Sequence, residues 1–246
     1  MNFDYDPSDR QFPQTDVHGL EEFDAEGDRV RQELGWTLAA FTVLFDADCE
    51  WCCLVRLGYA EEEFGAKPWC LPGGAVHGGE PASEGAVREV SEETGLALSN
   101  TELLPAGWLA RPYYVSPRQP SARGELVLLY SAFANPDDRR LRPAPPETVA
   151  AAFAPFRLEK FLAIPVYGEG EDPFSPLAGR HWAWWIRVGQ LRLQDQLRHP
   201  IVWTYQSKEE LSMPPWPGPP PQVIGRPLGL GESQARPESL SGSAPK

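Results

Sequence analysis

The segment from Gly74 to Leu96, GAVHGGEPASEGAVREVSEETGL, constrains this chain more than any other. Five residues separate Gly74 from Glu80, and seven separate Glu80 from the pair Arg88-Glu89. Val90 follows, then one spacer, Glu92-Glu93, a second spacer, and Gly95-Leu96. At ordinary residue frequencies the chance of meeting all these positions in one chain is on the order of 10⁻⁷. The pattern calls for one explanation.

As local structure the segment reads loop, helix, loop. Gly73, Gly74, Gly78 and Gly79 form a flexible entry that lets a ligand approach the backbone. Pro81 suits the first helical turn, where its missing N–H costs nothing. The spacing predicts a helix from about Ala82 to Glu93, closed by Gly95 in the left-handed conformation. Glu89, Glu92 and Glu93 then share one face through i,i+3 and i,i+4 offsets, while Ala86, Val87 and Val90 make an apolar stripe for packing. Like charges at these offsets destabilise a helix, and a hard cation reverses that repulsion. Mg²⁺ prefers oxygen ligands and shares its coordination with water and phosphate. A solvated acidic helix face would account for E-x-x-E-E alone, but not for the arginine, both framing glycines and Glu80 at fixed offsets.

These residues resemble the signature of the Nudix hydrolases at every position, and Trp69-Cys70-Leu71-Pro72-Gly73-Gly74 is similar to that family's approach to its box. The resemblance covers about Trp36 to Pro165. It implies a Nudix-type α/β/α sandwich with a mixed β-sheet and a loop–helix–loop catalytic motif. The implied activity is Mg²⁺- or Mn²⁺-dependent hydrolysis of a nucleoside diphosphate linked to another group. By position, the resemblance makes Glu89, Glu92 and Glu93 metal ligands, with Gly73 offering a backbone carbonyl. Arg88 would orient a carboxylate, and Glu80 would act near the metals through water. The chemistry agrees, because a diphosphate repels hydroxide and carboxylates until cations neutralise its oxygens. Arg88, neighbouring Glu89 but on a different side of the helix, is expected in a structural ion pair rather than on substrate. The family also takes a further carboxylate from beyond the box. Glu147, in Pro145-Pro146-Glu147-Thr148-Val149, is the candidate, with an ordinary surface glutamate as the alternative.

Substrate cues are mixed. A proline sixteen to eighteen residues past Leu96 resembles the ADP-ribose group of the family, and a tyrosine there resembles the dinucleoside polyphosphate group. Pro112, Tyr113 and Tyr114 supply both. ADP-ribose or another nucleoside diphosphate sugar is placed ahead, with a dinucleoside polyphosphate second. A ligand sensor with a dead site would have lost box carboxylates, and all are kept. An isoprenoid diphosphate isomerase would need a catalytic cysteine, for which only Cys70 is near the box.

Composition narrows the partners. A net charge of −13 over 246 residues argues against a groove for polymeric nucleic acid, whose binding rests on Lys and Arg. The expected partner is a small-molecule nucleotide, with a homodimer left open. Residues 1–32 read as an acidic N-terminal extension, since Met1–Asp28 carries nine acidic residues against Arg10 alone. The start lacks a signal peptide's basic and apolar regions, and no apolar run could cross a bilayer, so membrane association is not expected. Cys49-x-x-Cys52 lacks a second ligand pair for zinc. Cys49, Cys52, Cys53 and Cys70 read as small buried thiols in a reducing, cytoplasmic setting.

The Nudix hydrolase domain is expected over residues 33–167. The stretch Leu38–Leu57 breaks at Asp46-Ala47-Asp48 as a β-hairpin would, and strands are predicted at Ala106–Val115, Glu125–Ala134 and Thr148–Phe153, with helical turns at Phe156–Leu162. The loop after Val115 carries Arg118 and Arg123, read as solvated. Residues 168–206 form an aromatic-rich accessory segment in which Trp182, Trp184 and Trp185 are expected to pack rather than to stack on a base. If those three lie on a strand, Trp182 and Trp184 share one face. In residues 207–246, 20 of 40 positions are Pro, Gly or Ser, so a disordered tail is predicted. Its run Met213–Pro221 could take polyproline II form and meet an SH3-like partner, although a plain tail is the simpler reading.

Overall fold

The computed structural model describes residues 17, 19–58, 69–111, 121–122, 124–134, 140–156 and 179–204. Helix α1 (Leu20–Leu34) leads into strand β1 (Thr37–Phe45) and strand β2 (Trp51–Leu57). Two short strands follow, β3 (Trp69–Cys70) and β4 (Gly73–Ala75), then helix α2 (Ala82–Thr94). Strands β5 (Leu104–Arg111), β6 (Glu125–Phe133) and β7 (Thr148–Pro155) come next. Helix α3 (Gly179–Leu193) and strand β8 (Ile201–Thr204) complete the described elements.

The strands form one mixed sheet in the order β3-β2-β1-β6-β5-β8, with β4 pairing β1 and β7 pairing β2. Its spine is parallel pairing of β1 with β6, from Thr37 opposite Glu125 to Phe45 opposite Phe133. The hairpin expected at Asp46–Asp48 is present: Asp46 Oδ1 accepts the backbone N–H groups of Glu50 and Trp51 at 2.9 and 3.0 Å. Its arms pair at Phe45 and Cys52 and then fork. Residues 69–75 fill the fork, β4 lying antiparallel to β1 at Ala39–Phe41 and β3 antiparallel to β2 at Val55–Arg56. Gly73 is required there. Its φ is +151°, and a Cβ would sit 2.3 Å from the Ala40 carbonyl oxygen. The fork thus delivers the entry loop of the acidic segment onto the middle of the sheet.

Alternation along β1 separates two cores, since successive side chains point to opposite faces. Leu38, Ala40 and Leu44 join Phe23 and Val30 of α1 and Ala86 and Val90 of α2. On the other face Val43 lies against Gly189 of α3, where an added Cβ would approach Val43 Cβ to 2.5 Å, and Phe41 meets the Trp185 ring edge-on at 6.2 Å. Helices on both faces of a mixed sheet make the α/β/α sandwich that the resemblance implies.

Helix α1, strand β8 and helix α3 bear on the expected domain limits and on the tryptophan run. The acidic N-terminal extension, residues 1–32, contains most of α1, which belongs to the folded core. Phe23, Gly27 and Val30 are buried on one face of it, and Phe23 stacks on Trp108 with ring centroids 4.2 Å apart. Abundant acidic residues on its outer face hide that stripe in the sequence. Within the 168–206 segment, β8 belongs to the same sheet, because it pairs in parallel with β5. Trp182, Trp184 and Trp185 lie on a helix rather than a strand. Trp185 is 5% exposed and packed, while the side chains of Trp182 and Trp184 lie outside the described set. Helical turns at Phe156–Leu162 and the tail from Ser207 also fall outside the described residues. No described helix is long and apolar enough to cross a membrane.

Candidate active site

Helix α2 begins after Pro81 and ends at Gly95, whose φ of +74° lets its N–H cap the Ser91 carbonyl. Ala86 and Val90 anchor one side fully in the core. The opposite side carries Arg88, Glu89 and Glu92, with Glu93 at the boundary. Glu92 and Glu93 lie in the last turn, where the helix dipole is negative and no basic residue answers it. The arrangement raises electrostatic energy at that end of the helix.

Arg88 sits at the centre of the acidic group. Its Nε donates to Glu80 Oε1 at 2.9 Å, and one terminal nitrogen reaches Glu89 Oε1 at 2.8 Å and Glu92 Oε2 at 3.0 Å. The other terminal nitrogen donates to the Ala75 carbonyl at 3.0 Å. Glu80 also accepts the His77 backbone N–H at 2.8 Å. Burial pushes the Glu80 carboxyl up, but the hydrogen bonds from Arg88 and His77 outweigh it and leave the net direction downward. Arg88 itself is held more firmly protonated than an ordinary arginine, first by its bond to Glu80.

Glu93 is 4% exposed and points back to the sheet. It accepts the Gly73 N–H at 2.8 Å and the Thr148 hydroxyl at 3.3 Å. Burial first, then the charges of Glu89 and Glu147, push its carboxyl up to about 8, against the pull of those hydrogen bonds. Glu89 is also raised, mainly by burial, with the charges of Glu92 and Glu147 adding to the rise and Arg88 opposing it. Glu147 is exposed at the start of β7, beside Thr148, and its charge reaches both Glu89 and Glu93. Gly74 closes the geometry, because a Cβ there would come within 2.8 Å of a Glu89 carboxylate oxygen.

Three carboxylates, Glu80, Glu89 and Glu92, therefore gather around the Arg88 guanidinium, while Glu93 faces Gly73 and Thr148 and the charge of Glu147 acts on Glu89 and Glu93. The donors are all oxygen, the set that hard divalent cations prefer over nitrogen or sulfur. The two most buried acids are pushed toward their neutral forms, and a bound cation would oppose that shift. The donor set fits Mg²⁺ or Mn²⁺ in type and charge. Among the described residues no three acidic, histidine or cysteine side chains are already arranged around one point. Arg88 engages Glu89 and Glu92, and Glu93 is turned to Gly73 and Thr148.

A family model described as NUDIX domain matches residues 35–177, more than half of the chain. The chain belongs to the Nudix family. Solved structures with a similar fold include a MutT protein from Methanosarcina mazei Go1, at 18% identity over 65% of this chain and 94% of that one, with a TM-score of 0.42. An ADP-ribose pyrophosphatase from Streptococcus suis 89-1591 is 20% identical over 69% of this chain and 98% of that one, with a TM-score of 0.41. A MutT/nudix family protein from Enterococcus faecalis is 21% identical over 48% of this chain, with a TM-score of 0.38, and the match spans only 43% of that protein's length. No curated protein sequence matches the chain.

Within this Nudix box, Glu80, Arg88, Glu89 and Glu92 are directly bonded together, and Glu93 lies alongside. Arg88 departs from the expectation that it faces away from Glu89, since its long side chain folds back across the helix surface to bond it. Its ion pairs are with Glu80, Glu89 and Glu92. Gly73 meets Glu93 through its N–H, a role not expected from the sequence. Thr148 was also not anticipated, although it directly follows Glu147. Pro112, Tyr113 and Tyr114, with Arg118 and Arg123, lie outside the described residues. All four cysteines are buried free thiols.

Proposed function

We propose that the protein is a metal-dependent pyrophosphohydrolase that cleaves the phosphoanhydride of a nucleoside diphosphate linked to another group. The observation that carries this reading is the bonding of Glu80, Glu89 and Glu92 to Arg88, with Glu93 of the same helix held beside them against Gly73. Glu89, Glu92 and Glu93, with the carbonyl of Gly73, would hold Mg²⁺ or Mn²⁺. Such an ion neutralises phosphate oxygens and lowers the pKa of bound water. Arg88 fixes the rotamers of Glu80, Glu89 and Glu92, so that these carboxylates need little reorganisation when substrate arrives. Thr148 and the Gly73 N–H orient Glu93. Glu80 and Glu147 are the remaining candidates for accepting a proton from the attacking water.

ADP-ribose or a nucleoside diphosphate sugar is the preferred substrate, supported by the proline at position 112 (Pro112). A dinucleoside polyphosphate is second, supported by Tyr113 and Tyr114. The isomerase alternative loses ground on one observation. Cys70 is buried in β3, where its thiol lies 3.7 Å from the Val55 carbonyl, and burial pushes its pKa well above normal. A thiol so placed is poorly suited to chemistry on a diphosphate. Complete retention of box carboxylates likewise weighs against a ligand sensor that does not turn over.

The test is a panel of nucleoside diphosphate derivatives incubated with Mg²⁺ or Mn²⁺, read as release of phosphate or nucleoside monophosphate. EDTA should abolish turnover and excess metal should restore it. Full activity in EDTA would sink the reading.

A further inference from the structure

The residues that hold the Nudix box in place are not all within the matched domain. Helix α1 precedes residue 35, where the family match begins, and yet it grips the acidic segment at two points. Arg31 donates from a terminal nitrogen to the His77 carbonyl at 3.0 Å. The His77 N–H in turn donates to Glu80 at 2.8 Å, Glu80 accepts Arg88 at 2.9 Å, and Arg88 bonds Glu89 at 2.8 Å. Asp28, one turn before Arg31, pairs with the same guanidinium and aims it.

The second grip is at the start of α2. Pro81 occupies the N-cap position and supplies no side-chain cap. Asp24 of α1 provides it from another element, accepting the Ser83 N–H at 3.4 Å and the Ser83 hydroxyl through one oxygen. Its other oxygen accepts the hydroxyl of the fully buried Tyr130 of β6. A carboxylate at that end of a helix answers both the unpaired N–H groups and the positive end of the dipole. Helix α1 can serve as a fixed mount because Gly27 lets it lie close to Leu128, where a Cβ would come within 3.0 Å.

We infer that α1 is a positioning element of the hydrolytic site: Arg31 and Asp24 fix the two ends of the turn that carries Glu80, and through Glu80 and Arg88 they set where Glu89 stands. Neither residue touches substrate. The inference rests on the reading of α2 as the hydrolytic site and names residues that a sequence signature confined to the box would omit.

The test uses the full chain and four variants, Arg31→Ala, Arg31→Lys, Asp24→Asn and Arg29→Ala. Arg29 serves as control, since it pairs with Glu26 and Glu33 within α1. Mn²⁺ affinity is measured directly by calorimetry, and steady-state kinetics follow at fixed metal. Groups supporting metal ligands commonly change affinity or activity by about 10- to 100-fold when removed. Arg31→Ala should weaken Mn²⁺ binding about tenfold and lower kcat, with KM for nucleotide within about twofold. Arg31→Lys, which keeps a donor, should recover much of the loss, and Arg29→Ala should match the parent protein. Asp24→Asn should move the same readouts in the same direction, and it decides the matter if Arg31→Ala does not fold. Mn²⁺ affinity and kcat unchanged in Arg31→Ala and Asp24→Asn would overturn the inference while leaving the hydrolase reading intact. A parent protein that binds Mn²⁺ but hydrolyses nothing would remove the hydrolase reading alone, and the affinity comparison would still judge α1. No Mn²⁺ binding by the parent protein would overturn both.

Discussion

Helices α2 and α3 cover the same two central strands from opposite faces, and they are built on opposed principles. On α3, Ile186 and Val188 are buried, Gly189 lets the helix backbone press on Val43, and Gln190 satisfies the Cys49 carbonyl at 2.7 Å. What opposes folding there is the burial of two guanidiniums, Arg187 and Arg192, which bond Gln190 Oε1 and the Pro105 carbonyl. On α2 only Ala86, Val90 and their neighbours favour folding, and the rest of the surface gathers like charge, part of it buried. The sheet and the apolar half of α2 hold carboxylates in positions they would not choose. The comparison separates residues that stabilise the fold from residues that the fold constrains.

The largest effect should come from neutralising the acid that is most deeply constrained. Glu93→Gln should lower kcat by about a hundredfold to a thousandfold, equivalent to about 3–4 kcal/mol of transition-state stabilisation. The same change should leave the melting temperature of the metal-free protein unchanged or higher, because Gln replaces a carboxyl that burial, with Glu89 and Glu147, already pushes toward its neutral form. A loss of stability on the scale of the kinetic loss would erase the proposed distinction.

The converse change is on α3. Ile186→Ala removes a fully buried side chain and should cost about 3 kcal/mol of stability, since a cavity adds to the lost transfer energy. Its kcat, measured on folded protein well below the new melting temperature, should stay within about twofold. A large kcat loss without destabilisation would place α3 in the site.

Most of the sheet and nearly all of the carboxylate group were legible in the sequence, for a physical reason. Strands such as Glu125–Phe133 announce themselves by continuous apolar content, and the box by charged residues at fixed offsets that packing alone does not demand. Helix α1 escaped because Phe23, Gly27 and Val30 are separated by acidic residues, and a glycine at a packing position looks like a break. The Trp182–Trp185 run escaped because aromatic density fits either period. Asp24, Arg31 and Thr148 could not be tied to the box from spacing at all. Their roles depend on tertiary contacts that bring residues 24 and 83, 31 and 77, and 93 and 148 together.

A third way to sharpen the comparison is pH. The unfolded-state carboxyl of Glu93 titrates near 4.5, whereas the folded one is raised to about 8. The folded state therefore binds the proton more tightly across that interval. Its stabilising contribution is fully present below the unfolded pKa and is lost as pH rises through the folded one. Metal-free protein should lose roughly 10 °C in melting temperature between about pH 4.5 and 8. Glu93→Gln should flatten this slope, and Ile186→Ala should shift the whole curve down without changing it. A melting temperature that rises through that interval in the parent protein, with the slope kept in Glu93→Gln, would contradict the assignment.

The smallest effect expected is also the most local. At Gly74 a Cβ would meet the Glu89 carboxylate 2.8 Å away, and that group is the far end of a flexible side chain. Gly74→Ala can therefore be absorbed by a small rotation of Glu89, with little cost to folding. That rotation would loosen Glu89 from Arg88, whose bond to it is 2.8 Å long. A displacement of this kind should lower kcat about tenfold, or about 1.4 kcal/mol, because catalytic groups tolerate little misplacement. The melting temperature should stay within a few degrees of the parent protein. Gly73→Ala is the contrasting case: there the clash is with Ala40 backbone at 2.3 Å, which cannot rotate away, and the φ of +151° adds strain. It should destabilise the protein outright. If Gly74→Ala instead unfolds the protein while Gly73→Ala is tolerated, then the fork between β1 and β2 does not hold the box as described. A tenfold kinetic loss at Gly74 beside a stability loss at Gly73 would draw the boundary between constrained site and constraining fold between two adjacent residues.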